Sequence, residues 1–191
     1  MKKNFKLLTK IAIVAPLFLF FIYLSTIVKP RIDTDIALKI KEQIPVMLDE
    51  ENIQEFSVFL YSNNYTERYL LTSITEIVNP FSTVTGDKFF EKNLDYHKNK
   101  LCMFIPTQNL PVDSELHQVL KQKNYLEDGL YYLSCPIFQG GNIENNRLLG
   151  YISAIVDERL QASYAYIAKG KYAASKIGEI LHDFTPSKAK S

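Results

Sequence analysis

Residues 129–157, GLYYLSCPIFQGGNIENNRLLGYISAIVD, read as strand, loop, strand. The flanks 129–138 and 147–156 are apolar and rich in Tyr, Ile, Leu and Val, side chains that fit a pleated surface. Gly140-Gly141 interrupts them with a turn signal. Two strands joined by a short loop pair antiparallel, so this hairpin sets the fold class and asks for further strands beside it.

Those strands lie upstream. QEFSVFLYS, 54–62, alternates and is aromatic, and Asn63-Asn64 follows as a turn. RYLLTSITEIV, 68–78, reads as a second strand with Leu70, Thr72 and Ile74 on one face, stopped by Asn79-Pro80. LCMFIPT, 101–107, is a third, ended by Pro106. Helical spacing appears in 33–50, where Ile36, Ile40, Ile44 and Met47 or Leu48 repeat and Pro45 bends or ends the regular part. A loop with a short helix near 87–94 is expected in the polar stretch 81–100. A helix over 114–124, which Ser114 could cap, puts Leu116, Val119 and Leu120 on one face. The last helix, about 160–183, keeps the period with Leu160, Tyr164, Ile167, Ala174, Ile177 and Leu181, with Gly170 and Gly178 as weak points. The fold class is therefore α+β: an antiparallel five-stranded sheet flanked by helices packed on one face, resembling a PAS-like domain.

The chain has 191 residues, 47% hydrophobic and 23% charged, enough for one domain and an appendage. A net charge of +1 gives no nucleic-acid surface. Lys2, Lys3, Lys6 and Lys10 precede IAIVAPLFLFFIYLSTIV, 11–28, a run without charge. At 1.5 Å per residue it spans about 27 Å, enough for a hydrocarbon core. It reads as an uncleaved signal anchor and transmembrane helix. The excess of lysines before it keeps residues 1–10 as a cytoplasmic tail and places 29–184 outside. The polar end, 185–191, is expected to be disordered.

Catalytic chemistry is not legible. His97, His117 and His182 lack metal-ligand spacing with a second His or Cys. Ser134-Cys135-Pro136 lies in an apolar strand, where thiols are inert. Gly140-Gly141 joins two strands, whereas a phosphate cradle joins strand to helix. The reading is no enzyme, no metal and no cofactor. Outside the cytoplasm Cys102 and Cys135 would tend to oxidise. A bridge would be worth about 3 to 4 kcal/mol in the chain-entropy model; the alternative is two buried, unpaired thiols.

MFIPT at 103–107, with Phe104, Pro106 and Thr107, and YYLSCPIF at 131–138, with Tyr131, Ser134, Cys135, Pro136 and Phe138, are similar to segments of the lysis-timing holins of T-even bacteriophages. Asn142-Ile143 and LLGYIS follow in a similar register. The resemblance implies a holin of the host cell inner membrane with a periplasmic C-terminal domain. Such a protein associates with itself in the lipid bilayer and opens holes at a set time, releasing endolysin for host cell lysis. The periplasmic domain binds an antiholin, and exposure and aromatic content suggest Tyr131, Tyr132, Gln139 and Asn142 for that contact. The alternative, from architecture alone, is a membrane-anchored extracytoplasmic PAS-like sensor or ligand-binding module.

Overall fold

Apolar side chains at both parities give the central strands two dry faces. In β1 (Ile53–Tyr61), Phe56, Val58 and Leu60 enter one core while Phe59 and Tyr61 enter another. β5 (Leu130–Phe138) and β6 (Leu148–Asp157) are likewise buried along nearly their whole length. A strand whose two sides are both buried has lost the apolar-polar alternation of a half-exposed one, and it requires cover on both sides. Helices therefore lie on both faces, which corrects the one-faced expectation.

The computed structural model describes residues 34–47, 53–73, 81–144, 147–157 and 163–182, all within the unit Ile32–Phe184. The further elements are α1 (Thr34–Met47), β2 (Glu67–Ser73), β3 (Phe81–Thr83), α2 (Lys88–Lys98), β4 (Met103–Pro106), α3 (Glu115–Gln122) and α4 (Ser163–Ile180). Among the described residues the sheet has six strands in the order β3-β2-β1-β6-β5-β4, antiparallel throughout. The sixth is β3, too short for any period to be read in the sequence. The stretch 11–28 lies outside the described residues, as do 1–10 and 185–191; among the described residues no helix is long and apolar enough to cross a membrane.

β2 departs from the expected alternation. Val58 pairs with Thr72 and Phe59 with Leu70, so Leu71 is an extra, bulged residue. Leu70 packs in one core and Leu71 in the other, and Leu70 and Thr72 do not share a face. Ile74 lies outside the described residues.

One face is covered by α1 and α4. Ile40, Tyr166, Ala173, Ala174, Ile177 and Leu181 pack on Phe56, Val58, Leu133, Ile137, Ile152 and Ala154. Tyr164, expected to face inward, is 77% exposed, and Tyr166 takes the inward place, its hydroxyl donating to the Asp157 carbonyl at 2.6 Å. The glycines read as weak points are contact positions. A Cβ on Gly178 would lie 2.3 Å from the Phe138 carbonyl oxygen, and one on Gly170 would lie 3.0 Å from Cys135 Sγ and from Leu133 Cδ2. Gly170, Ala174 and Gly178 thus form one small-residue stripe at i, i+4, i+8 against the sheet. Beneath it a disulfide joins Cys102, just before β4, to Cys135 in β5. The other face is covered by α2, α3 and the segment between β4 and α3, with Phe89, Phe90, Leu94, Leu110 and Leu120 on Phe59, Tyr61, Met103, Tyr132, Tyr151 and Ile155.

The stripe makes a ranked prediction. Gly178→Ala meets backbone that cannot yield, and chemical denaturation should show a loss of about 2 kcal/mol or more. Gly170→Ala meets side-chain atoms only, Leu133 Cδ2 and the disulfide-bonded Cys135 Sγ, each at 3.0 Å rather than 2.3 Å, and should cost less. Equal stabilities for the two variants would show that α4 does not seat this closely.

Candidate functional site

A cation stands inside the second core. Arg68 on β2 is 4% exposed. A guanidinium out of water is costly unless its neighbours replace hydration. Here its carbon lies 3.6 Å from the centre of the Phe90 ring and 4.5 Å from that of Phe59. Nη1 donates to the Tyr151 hydroxyl, and Nη2 lies 3.8 Å from Glu115 Oε1.

One carboxylate holds these neighbours in place. Asp87 caps α2, its Oδ1 accepting from the backbone N–H groups of Phe89 and Phe90 at 2.9 and 3.2 Å. Its Oδ2 accepts from the N–H of Glu115, the first residue of α3, at 3.1 Å. Ser114 caps α3 in turn, accepting from His117 N at 3.2 Å. Asp87 therefore sets both Phe90 and Glu115 around Arg68.

Between α3 and the sheet lies a cavity of about 30 Å³. Its polar wall is Glu55, Ser57, Arg68, Glu115 and Ser153, and Leu116, Val119, Leu120 and Ile155 contribute its apolar wall. Just past the end of α3, Lys123 Nζ donates to both Glu55 carboxylate oxygens at 2.7 and 2.8 Å, and each of the two side chains is 8% exposed. Space of this size holds about two waters.

A polar chain runs from α2 into the same face. His97 is fully buried; Nδ1 lies 2.8 Å from the Tyr61 hydroxyl and Nε2 lies 2.9 Å from Ser134 Oγ. Asn93 Nδ2 donates to Ser134 Oγ at 3.3 Å. Desolvation pushes the His97 pKa down to about 3, so the ring is neutral and exchanges hydrogen bonds with hydroxyls on both sides. Burial raises the hydroxyls of Tyr61, Tyr132 and Tyr151 above the ordinary tyrosine value, which keeps them protonated. Tyr132 OH and Asn93 Oδ1 have no hydrogen-bond partner among the described residues.

The residues singled out in the sequence are distributed through the sheet. Phe104 stacks on Tyr131 with ring centres 4.8 Å apart, and Pro106 pairs opposite Tyr131. Thr107, Ser134, Cys135, Pro136 and Phe138 are buried. Tyr132 is 1% exposed, so it offers no surface to a partner, contrary to the exposure assumed for it. Tyr131 is half-buried. Gln139 donates to the His182 carbonyl at 2.9 Å, and the exposed Asn142 accepts from Glu144 N at 2.8 Å. His117 is half-buried on α3, and His182 is exposed. Sequence reasoning passed over Arg68. Its signal was a lone arginine opening an apolar strand, RYLLTS.

No protein-family model matches the chain, and no curated protein matches it. Solved structures do. The chain is similar to the GAF domain of a two-component sensor histidine kinase from Bacillus halodurans, with a TM-score of 0.56 and 14% identity over 78% of this chain and 93% of that one. It is similar to the nlh2 GAF domain of A. aeolicus in an inactive state, with a TM-score of 0.51 and 11% identity over 85% and 90%. A far-red absorbing dark state with bound biliverdin IXa gives 0.50 and 12% over 78% and 98%. These likenesses show the fold, a PAS/GAF-like α+β sandwich. They correct the resemblance to the T-even lysis-timing holins: the similar structures are GAF domains. The segments that carried the resemblance, 103–107 and 131–138, are strand and turn positions of that sheet, most of them buried. Holin and lysis are withdrawn with it.

The neutral His97 has a measurable consequence. Its folded pKa lies below the unfolded value of about 6.5, so the unfolded chain takes up the proton first. The stability it contributes is complete above about pH 6.5 and is lost as pH falls toward 3, by about 1.4 kcal/mol per pH unit. Denaturation midpoints between pH 7 and 5 should fall less steeply in His97→Asn. Identical slopes in both proteins would refute the assignment.

Proposed function

We propose that this chain is a sensory, ligand-binding module whose ligand enters the Arg68 cavity and whose output begins as a movement of α3. The observation that carries the reading is a buried guanidinium on a cavity wall facing Glu115 at 3.8 Å. A charge kept in a core at the cost of desolvation, on the wall of a cavity, suits recognition better than packing. A ligand there touches the sheet through Arg68, Ser57 and Ser153, and α3 through Glu115 and Val119. A shift of α3 then passes through Asp87 to the first turn of α2.

The GAF domain of a sensor histidine kinase among the similar structures supports a sensory role. Biliverdin, which one of those structures holds, is disfavoured here. The cavity is about 30 Å³, and Cys102 and Cys135 are bonded to each other. We place the module on the outer side of the cytoplasmic membrane, a reading supported by the four lysines ahead of 11–28 and by the disulfide.

Two measurements test this. A ligand at a hundred times its Kd stabilises the folded state by about 2.7 kcal/mol, so a screen of small polar metabolites should find compounds that raise Tm by roughly 5 to 10 °C. Val119→Phe fills the cavity and should abolish the rise. An equal rise in that variant, or none with any compound, overturns the site. For the compartment, a reporter active only outside the cytoplasm, fused after Ser191, should be active. Activity of a cytoplasmic reporter at that position would reverse the placement.

A further inference from the structure

Next to the disulfide the sheet leaves an edge open. β4 pairs with β5 only as far as Met103 opposite Ser134. Residues 135–138 of β5 run on past it, with β6 on one side and, among the described residues, no strand on the other. Pro136 lies in this stretch, where a strand tolerates a residue without an amide hydrogen. A cleft of about 320 Å³ opens there, about ten times the 30 Å³ beneath α3 and large enough for a small molecule.

Its walls carry charge of one sign. Lys100, just before β4, and Lys171 on α4 both line it, and none of its other lining residues is acidic. Neither lysine has an ion-pair partner among the described residues. Glu179, the α4 carboxylate beside Gly141, is already held by Lys176 at 2.8 Å. Lys100 keeps its place at a cost. It follows the C-cap of α2 with a φ of +63°. Its N–H donates to the His97 carbonyl and that of Leu101 to the Tyr96 carbonyl, both at 2.9 Å. This turn favours glycine, because a Cβ in the left-handed region crowds the following carbonyl. A lysine here gives up stability and puts a cation at the cleft.

The far end of the cleft is fixed. Ser175, one turn beyond Lys171, donates from Oγ to the Gly141 carbonyl at 2.8 Å, and a Cβ on Gly141 would lie 2.4 Å from the Ser175 carbonyl oxygen. The loop after β5 is thus seated directly on α4. Its Asn142 accepts from Glu144 N through Oδ1, which leaves the amide NH2 as a donor. Pro136, Phe138 and the exposed Ile143 supply apolar wall. Cations and apolar side chains without a carboxylate among them specify an anion with an apolar body. We propose that this cleft, separate from the Arg68 cavity, binds a small organic carboxylate. The head group lies between Lys100 and Lys171, and the apolar part rests on Pro136, Phe138 and Ile143. Two ammonium groups act as point charges for two oxygens, and the cleft has no arginine fork for the further oxygen of a phosphate. Once bound, the carboxylate ties α4 to the turn between α2 and β4.

Isothermal titration calorimetry of the full chain with benzoate and hexanoate tests this. Acetate supplies the charge without the body, benzyl alcohol the body without the charge, and phenyl phosphate the other head group. Expected is binding of benzoate or hexanoate, and none of acetate or benzyl alcohol at the same concentration. Lys171→Gln and Lys100→Gly should each weaken binding by roughly threefold or more. Lys100→Gly should also unfold at or above the wild-type temperature, since glycine relieves the left-handed turn, so its lost affinity is not lost fold. Val119→Phe, which fills the Arg68 cavity, should leave benzoate binding as it is. Abolition by that variant would put the carboxylate in the other cavity and overturn this site. Unchanged affinity in both lysine variants overturns it too, as does equal binding of benzyl alcohol. Tighter binding of phenyl phosphate than of benzoate overturns the carboxylate assignment. No binding of benzoate or hexanoate overturns the proposal without bearing on the Arg68 cavity.

Discussion

The structure depends on the pairing of β1 with β6, the first and last strands, side by side at the centre of the sheet. With neighbours on both edges and helices on both faces, these strands are buried along most of their length. Their buried backbone groups must be bonded within the sheet, and their buried side chains must find cover. Two helical layers follow from that one condition. Gly150 on β6 shows how tight the pairing is: a Cβ there would lie 2.0 Å from the Phe59 carbonyl oxygen.

The two layers do different work. The layer under α1 and α4 is apolar and close-packed, with a glycine stripe and a disulfide at its seat. The layer under α2 and α3 holds Arg68, Glu55, Asn93, His97 and Ser134, all buried. Buried polar groups survive only with partners, and most of these have them. Such a network fixes its members in space, which is what recognition needs. The division gives the domain one apolar face and one polar face, and the polar one holds the cavity beneath α3.

Much of this was legible. The hairpin 129–157 and the strand 54–62 stood out because long runs of aromatic and β-branched residues have few alternatives. The bulge at Leu71 was not legible: a one-residue slip leaves composition unchanged while moving Leu70 and Thr72 to opposite faces. In α4 Ile177 and Leu181 are buried as their spacing implied, and only Tyr164 misled: it turns outward and Tyr166 takes the inward place. Arg68 was missed because burial is a tertiary fact: a strand's opening arginine looks the same in solvent and under a helix. Nor could the segments 103–107 and 131–138 separate kinship from packing, since a sheet of this kind asks for such residues at those places.

The sheet ends in short strands, β3 with three residues and β4 with four, and β4 finishes at Pro106, which has no amide hydrogen to offer. Cys135 holds the start of β4 to β5 by a covalent bond. An exposed strand edge is a template on which another chain can extend the sheet, and uncontrolled extension ends in fibres. Here each described margin is too brief to template much, and one lacks a donor at its last residue. The described margins of the sheet therefore offer little backbone for edge-to-edge pairing.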